Sequence, residues 1–263
     1  MDILDLKQIK KLSNFYSPLK TDAQLAVEYS KISKEKIQPM KNVRKIYNFQ
    51  IIKSFLNEGV VKASFVKHFS FKQSPNNTVT IFELNAGGSR ADLCMVNGKS
   101  MVFEIKTQYD TFNRLDNQLL DYMKVFEYIN VIVPEEKIAE VKKNLDKNIG
   151  IITYRKSRLG NLIFIKNKSP ILNNSINPKD QLSQMTKKQL NSILSSSEGS
   201  KDNLISSIIL TKSPNEINEL FKKFVKEKYF RKWMFVFTNQ NLIHPLDYQW
   251  FFKNNLPIST VYK

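Results

Sequence analysis

Two acidic residues and one lysine lie at the ends of neighbouring predicted strands. Glu104 and Lys106 are two positions apart, so on a strand their side chains share a face. Asp92 lies on the preceding strand, across an Asn97-Gly98 pair that is a strong hairpin signal. Pairing these strands brings the three ionisable groups together, which is costly unless they pair or bind a metal. Two acids beside one lysine form an arrangement typical of a hard-cation site, with the lysine free to act on substrate.

This motif resembles the signature of the PD-(D/E)XK nucleases, the restriction-endonuclease-like superfamily. The resemblance implies that Asp92 and Glu104 hold Mg²⁺ or Mn²⁺, and that the backbone carbonyl of Ile105 completes the metal shell. It also implies that Lys106 orients the attacking water or stabilises the developing charge. Ala91 stands where the family name has proline, a position that is not catalytic.

The next predicted helix extends the resemblance. Gln118 and Tyr122 are similar to the Gln-x-x-x-Tyr element of the RecB-like branch, and Arg114, Gln118 and Tyr122 are spaced by four, so they share one helical face. Gln118 therefore joins the expected catalytic set, where it orients a phosphate or the lysine, and Arg114, Tyr122 and Arg90 are expected to support it. With these residues the chain resembles a bacterial branch of the superfamily over about residues 45–233.

The number of metal ions is left open by the acidic residues nearby. Glu83 either helps to bind a metal or pairs with Arg90. The helix upstream has no obvious acid where many members carry one, and Gln50 or Glu58 falls nearest to that position. The simplest alternative for Glu104 and the lysine beside it is a solvated surface ion pair, worth about 0–1 kcal/mol.

Hydrophobic periodicity predicts an α/β fold, with a mixed central sheet flanked by helices and helical regions at both ends of the chain. A strand or short hairpin is expected over 60–73, after a helix that stops at Gly59. Further helices are expected over 21–33, 43–57, 111–129, 135–146 and 180–232, and strands over 79–84, 91–96, 100–106, 130–133, 149–154 and 161–166. The expected organisation is an N-terminal helical region (1–58), a nuclease core (59–166), a linker (167–179) and a C-terminal helical region (180–263).

The balance of charge predicts a polyanionic partner. The 263 residues carry a net charge of +17, of which residues 1–70 and 167–263 hold +7 each, while residues 71–133 hold −1. Basic flanks around a neutral centre that gathers carboxylates favour nucleic acid. The alternative is a lysine-rich composition that only solvates the surface.

Other features of the composition narrow the class of protein. A single cysteine excludes an internal disulfide, and two histidines make a histidine-rich metal site improbable. No apolar run approaches the roughly 18 residues that span a bilayer, and the N-terminus does not resemble a signal peptide. We therefore expect a cytoplasmic protein with no membrane association; whether it forms a homo-oligomer is left open.

These observations predict a metal-dependent nuclease that hydrolyses phosphodiester bonds, with DNA favoured over RNA as the partner. Two alternatives remain: an RNA-cleaving toxin or effector, and a nucleic-acid-binding module on the same fold without catalysis. Composition does not separate DNA from RNA.

Overall fold

Six strands form one mixed sheet at the centre of the protein, described here by a computed structural model of residues 4–33, 42–194 and 199–262. The strands lie side by side in chain order: β1 (Val79–Ala86), β2 (Ser89–Val96), β3 (Ser100–Ile105), β4 (Tyr128–Pro134), β5 (Gly150–Lys156) and β6 (Leu162–Lys168). The first three strands are antiparallel, β3 to β5 are parallel, and β6 returns antiparallel to β5. This mixed sheet with its flanking helices confirms the predicted α/β fold.

Helices precede, interrupt and follow the sheet. They are α1 (Leu6–Phe15), α2 (Asp22–Ser33), α3 (Val43–Ser54), α4 (Glu58–Phe69), α5 (Leu115–Met123), α6 (Ile138–Asn144), α7 (Pro178–Ser183), α8 (Lys187–Leu194), α9 (Lys201–Thr211), α10 (Pro214–Thr238), α11 (Tyr248–Asn254) and α12 (Ile258–Val261). No helix in the described ranges is both long and apolar enough to cross a bilayer.

The two helices nearest the predicted site cover opposite faces of the sheet. Phe65 of α4 packs on Phe103, with ring centroids 4.9 Å apart. Tyr122 of α5 donates a hydrogen bond to the side chain of Glu104. Because successive residues of a strand point to opposite faces, α4 and α5 enclose the end of β3 between them.

The expectation of a strand or hairpin over residues 60–73 is wrong, because this segment begins with helix α4. The side chain of Asn57 accepts a hydrogen bond from the N–H of Val60 and so caps the helix, and Gly59 lies in its first turn rather than ending the helix before it. Valine and phenylalanine favour strands only weakly, and burial on several sides of α4 outweighs that preference. The correction matters because α4 carries charged side chains to the site.

Two further boundaries differ from expectation. The helix predicted over 111–129 is shorter, since α5 ends at Met123 and residues from Tyr128 onward belong to β4. The Asn97-Gly98 turn is part of a three-residue loop, in which Gly98 has a φ of +87° that favours glycine. The two-residue hairpin lies instead at Gly87-Gly88, between β1 and β2.

The C-terminal helices share one apolar core with the sheet. Trp233, Phe251 and Phe252 are buried in the same cluster as the strand residues, and Trp250 is partly buried against it. A second cluster gathers α1, α2 and α3. The stretch predicted as a linker is tied down in part, because the side chain of Asn173 donates to the carbonyl of Phe126.

Candidate active site at the end of strand β3

The antiparallel pairing of β2 and β3 stops just before the predicted site. Its last pair is Leu93 with Phe103, and the same register continued by one residue sets Asp92 opposite Glu104. There the Oδ2 of Asp92 accepts a hydrogen bond of 2.8 Å from the N–H of Ile105. The side chain of Asp92 thus accepts the hydrogen bond that a backbone carbonyl of β2 would otherwise accept, and this bond fixes the carboxylate at the strand end.

Glu104 and Lys106 form a network with helix α5. The ammonium of Lys106 lies 2.8 Å from Oε1 of Glu104 and 2.8 Å from Oε1 of Gln118. The hydroxyl of Tyr122 donates to Oε2 of Glu104 at 2.7 Å. The Gln118 and Tyr122 side chains therefore lie one helical turn apart on the same face of α5 and hold Glu104 of β3 and Lys106, the first residue after that strand. We call Asp92, Glu104, Lys106 and Gln118 the strand-end site.

A second group of carboxylates lies beside Asp92. Oxygen atoms of Glu58, Glu83 and Asp92 all lie within 4.8 Å of one another, and we call these residues the acidic cluster. The ammonium of Lys62 contacts all three, at 2.8 Å from Glu58 and 3.3 Å from Asp92, and it also pairs with Glu83. The side chain of Lys62 is 2% exposed, so this cation is buried among the carboxylates.

Glu83 joins the cluster through an unusual backbone conformation. Its φ is +58°, and the ladder between β1 and β2 skips the pair that Glu83 would make with Asp92. A glutamate in the left-handed region carries a conformational cost that surrounding contacts must offset. Of the two roles expected for Glu83, the structure contains the pair with Arg90, whose Nε lies 2.5 Å away; the Glu83 carboxylate also pairs with Lys62.

Burial and neighbouring charges set the protonation of these groups. Burial raises the pKa of Asp92 well above its ordinary value; Lys62 opposes this rise, and the charges of Glu104 and Glu58 add to it. Burial alone would lower the pKa of Lys62, but the carboxylates of Asp92 and Glu58 outweigh burial and raise it. Burial, and then Glu104, raises the pKa of Tyr122, which therefore stays a hydrogen-bond donor.

Not every predicted site residue reaches the strand-end site. Arg114 is the exposed residue before α5, and its side chain makes no hydrogen bond or ion pair with the residues described. The guanidinium of Arg90 is also exposed and, among the residues that the structure describes, pairs only with Glu83; the backbone carbonyl of Arg90 accepts a hydrogen bond from the Tyr122 hydroxyl at 3.1 Å. Of the two upstream candidates, Glu58 lies in the acidic cluster, whereas Gln50 lies on α3.

Two further residues near the site are not among the residues predicted to form it. The Oδ2 of Asp110 accepts hydrogen bonds from both the N–H and the hydroxyl of Thr107, each at 2.7 Å, and so braces the loop after β3. Lys62 was not expected at the site at all. The signal that identifies it is the spacing of four between Glu58 and Lys62, which places both on one face of a helix.

The donor set fits a hard divalent cation. Carboxylate oxygens are the ligands that Mg²⁺ and Mn²⁺ prefer. Oxygen atoms of Glu58, Glu83 and Asp92 are close enough to share one ion, and Glu104 is not a member of this group. The ammonium of Lys62 already compensates part of this negative charge. An ion bound by Asp92 on its Glu83 side therefore competes with Lys62 for the same oxygen atoms.

Comparison with known proteins identifies the family. The family described as Bacteriophage P4 protein cII matches residues 52–250, which is more than half of the chain. The chain therefore belongs to the bacteriophage P4 protein cII family. The matched region includes α4, the whole sheet and α5, so it contains every residue of the strand-end site and the acidic cluster.

One curated relative and one solved structure show the extent of the similarity. The chain is 28% identical to Protein cII of Enterobacteria phage P4 over 102 residues, which is 38% of this chain and 39% of that protein. The chain thus spans about two fifths of the length of this relative. The SPO1766 protein of unknown function from Silicibacter pomeroyi is 19% identical, with a TM-score of 0.32 over 44% of this chain and 74% of that one.

Proposed function

We propose that the strand-end site hydrolyses phosphodiester bonds in nucleic acid with the help of a divalent metal ion, with DNA favoured over RNA. The observation that carries the proposal is the position of the Lys106 ammonium, 2.8 Å from both Glu104 and Gln118, directly after the strand that lies beside Asp92. Hydrogen bonds to neighbouring groups fix all four side chains before any substrate binds. Such preorganisation is what stabilisation of a charged transition state requires.

Asp92 and Glu104 are the residues that would hold Mg²⁺ or Mn²⁺, with the carbonyl of Ile105 and the carboxylate of Glu83 as further oxygen donors. An ion held there would lower the pKa of a bound water and neutralise charge on the phosphate. Tyr122 and the N–H of Ile105 each hold one carboxylate of the pair in place. These neighbours fix the orientation of the ligands, as partners of metal-binding carboxylates commonly do.

Lys106 is placed to act on the substrate. An ammonium group has three hydrogen-bond donors, and Glu104 and Gln118 accept two of them. The third is available to a phosphate oxygen or to the attacking water. Gln118 keeps the ammonium at this position, and its own amide N–H groups are further donors toward a phosphate.

Cleavage assays on the purified protein test this proposal. We expect nicking or degradation of DNA in Mg²⁺ or Mn²⁺ and none in EDTA. The substitutions Asp92→Ala, Glu104→Ala and Lys106→Ala should each reduce the rate by at least about a hundredfold. Glu219→Ala is the matched control, because this carboxylate is exposed and pairs with Lys222 outside the site. Cleavage that persists in EDTA, or in any of the three variants, would contradict the proposal.

A further inference from the structure

An aromatic pair with a lysine lies on the surface near the strand-end site. The rings of Phe55 and Tyr109 are in contact, with centroids 5.5 Å apart. The ammonium of Lys10 lies 5.0 Å from the Tyr109 ring and 5.8 Å from the Phe55 ring. Tyr109 is 45% exposed and Lys10 is also exposed, whereas Phe55 is partly buried and packs against the cluster of α1, α2 and α3.

Both rings are attached to segments that carry the site. Tyr109 follows Lys106 by three residues, and Phe55 precedes Glu58 by three. Three residues span at most about 11 Å, so each aromatic backbone lies within that distance of a site residue. The loop is braced, because the N–H of Tyr109 donates to the hydroxyl of Thr107 at 3.2 Å. The backbone of Tyr109 is therefore held within about 11 Å of Lys106.

A cleft of about 220 Å³ lies next to the aromatic pair. Leu56 and Gln108, the chain neighbours of the two aromatic residues, line it together with Tyr154, Arg155 and Lys156. The hydroxyl of Tyr154 lies 3.3 Å from the backbone carbonyl of Lys106, which connects the cleft to the strand-end site. Pro134 and Glu136 complete the lining, so the cleft combines apolar, cationic and one acidic side chain.

We propose that Phe55 and Tyr109 stack on an unpaired nucleobase, so that the preferred ligand is single-stranded nucleic acid. This inference rests on the proposed function and names its substrate class. Exposed aromatic faces beside cations bind single strands, because every base offers a face for stacking and every phosphate a negative charge. The bases of an intact duplex stack on one another and are not available to a ring at the surface. The cations beside the phosphate backbone of the bound nucleic acid are supplied by Lys10, Arg155 and Lys156.

Binding measurements without catalysis test the inference. Fluorescein-labelled single-stranded DNA, single-stranded RNA and duplex DNA of one length would be titrated with the protein in EDTA. We expect tighter binding of the single strands than of the duplex. Tyr109→Ala should weaken single-strand binding roughly tenfold and leave duplex binding nearly unchanged, whereas Tyr109→Trp should retain the affinity. The DNA and RNA arms report whether the sugar contributes.

Tyr128 offers a matched control. Its ring also lies under a lysine, with the Lys99 ammonium 5.2 Å away, but it begins β4, at the end of the sheet opposite to the strand-end site. Tyr128→Ala should therefore leave binding unchanged. Equal losses for single strands and duplex in Tyr109→Ala, no loss, or a wild-type preference for duplex would each overturn the inference. Because no metal is present, these outcomes are independent of cleavage, whose absence would overturn only the proposed function.

Discussion

The side chain of Lys62 is the cation around which the acidic cluster is arranged. It contacts Glu58, Glu83 and Asp92, and almost none of it is exposed. A buried ammonium among carboxylates is favourable only while its partners remain, because an unpaired buried charge is costly. In the proposed nuclease, Lys62 thus compensates the negative charge of the cluster when no metal is bound.

Replacing Lys62 should make the stability of the protein depend on metal. Lys62→Met leaves the three carboxylates without their ammonium, and loss of one member of a buried pair costs about 3–5 kcal/mol. We expect a lower melting temperature in EDTA and a larger rise on addition of Mn²⁺ than the wild type shows. Thermal melts of both proteins, with and without Mn²⁺, provide the comparison.

Lys222→Met is the control for this comparison. Lys222 is also buried, with 6% of its side chain exposed against 2% for Lys62, and it pairs with Glu127 and Glu219, outside the acidic cluster. Its loss should lower the melting temperature without any recovery in Mn²⁺. Equal responses of the two variants to Mn²⁺ would show that the carboxylates around Lys62 do not bind the ion.

Sequence reasoning located the strand residues and Gln118 and Tyr122 of α5. It offered Glu58 only as one of two candidates upstream, and it missed Lys62. Asp92 and Glu104 lie on two consecutive strands joined by a short turn, and Lys106 directly follows the second strand, so local spacing is enough to bring them together. Glu58 and Lys62 reach the same region through the packing of α4 against the sheet, which no local pattern encodes. The valines of α4 favoured a strand. In a strand, residues four positions apart are too far from each other to pair, so the spacing of Glu58 and Lys62 did not indicate a contact.

The β2–β3 hairpin is anchored to helix α10 by a buried ion pair. Glu127 accepts hydrogen bonds from the N–H of Ser100 at 2.6 Å and from Asn218 at 2.8 Å, and it pairs with Lys222 at 3.0 Å. Lys222 also donates to the carbonyl of Gly98, in the turn before β3. These contacts fix the start of the strand that ends in Glu104 and Ile105.

Glu127→Ala should therefore destabilise the fold far more than Glu219→Ala. Both glutamates pair with Lys222, but the side chain of Glu127 is 11% exposed and that of Glu219 is 72% exposed. We expect Glu127→Ala to lower the free energy of unfolding by about 3 kcal/mol or more, because its buried partners lose their hydrogen bonds and ion pair. Glu219→Ala should cost under about 1 kcal/mol. Urea unfolding of the two variants gives both values, and similar losses would contradict this role for Glu127.

The N-terminal and C-terminal helices meet at a buried carboxylate. Oδ2 of Asp247 accepts hydrogen bonds from the hydroxyls of Tyr16 at 2.8 Å and Tyr262 at 2.6 Å. Its Oδ1 is buried and has no hydrogen-bond partner among the described residues. Burial raises the pKa of Asp247 to about 6, although both tyrosines and the charge of Arg44 lower it. Tyr16 and Tyr262, which are far apart in sequence, thus meet at a carboxyl group whose pKa is higher in the folded protein than in the unfolded chain.

This raised pKa predicts the direction of a pH effect on stability. An aspartate in the unfolded chain has a pKa of about 3.9, so the folded protein holds an extra proton between about pH 4 and pH 6. The contribution of Asp247 to stability is full below pH 4 and falls by roughly 3 kcal/mol as the pH rises through 6. The amide side chain in the Asp247→Asn variant does not titrate. The melting temperature of this variant should therefore rise relative to that of the wild type between pH 4 and pH 6, and the difference between the two should be constant above pH 7. A constant difference from pH 4 to pH 8 would contradict the assignment.

The net charge of +17 belongs to the whole chain, and the fold shows that its basic C-terminal part is not a separate arm. The C-terminal helices bury Trp233 and Phe251 in the same core as the sheet. The basic segment 167–263 is therefore part of the body that positions the strand-end site. Composition predicted the basic flanks, but the shared core depends on contacts between distant residues and was not evident from the sequence.

The central claim is that Asp92 and Glu104 share a divalent metal ion at the end of β3. A crystal of the protein soaked in Mn²⁺, examined by anomalous scattering, tests it most directly. We predict an anomalous peak bridged by the Asp92 and Glu104 carboxylates, with Lys106 beside it. A peak held only by Glu58, Glu83 and Asp92, or no peak at the end of β3 at Mn²⁺ concentrations that saturate comparable sites, would contradict the account.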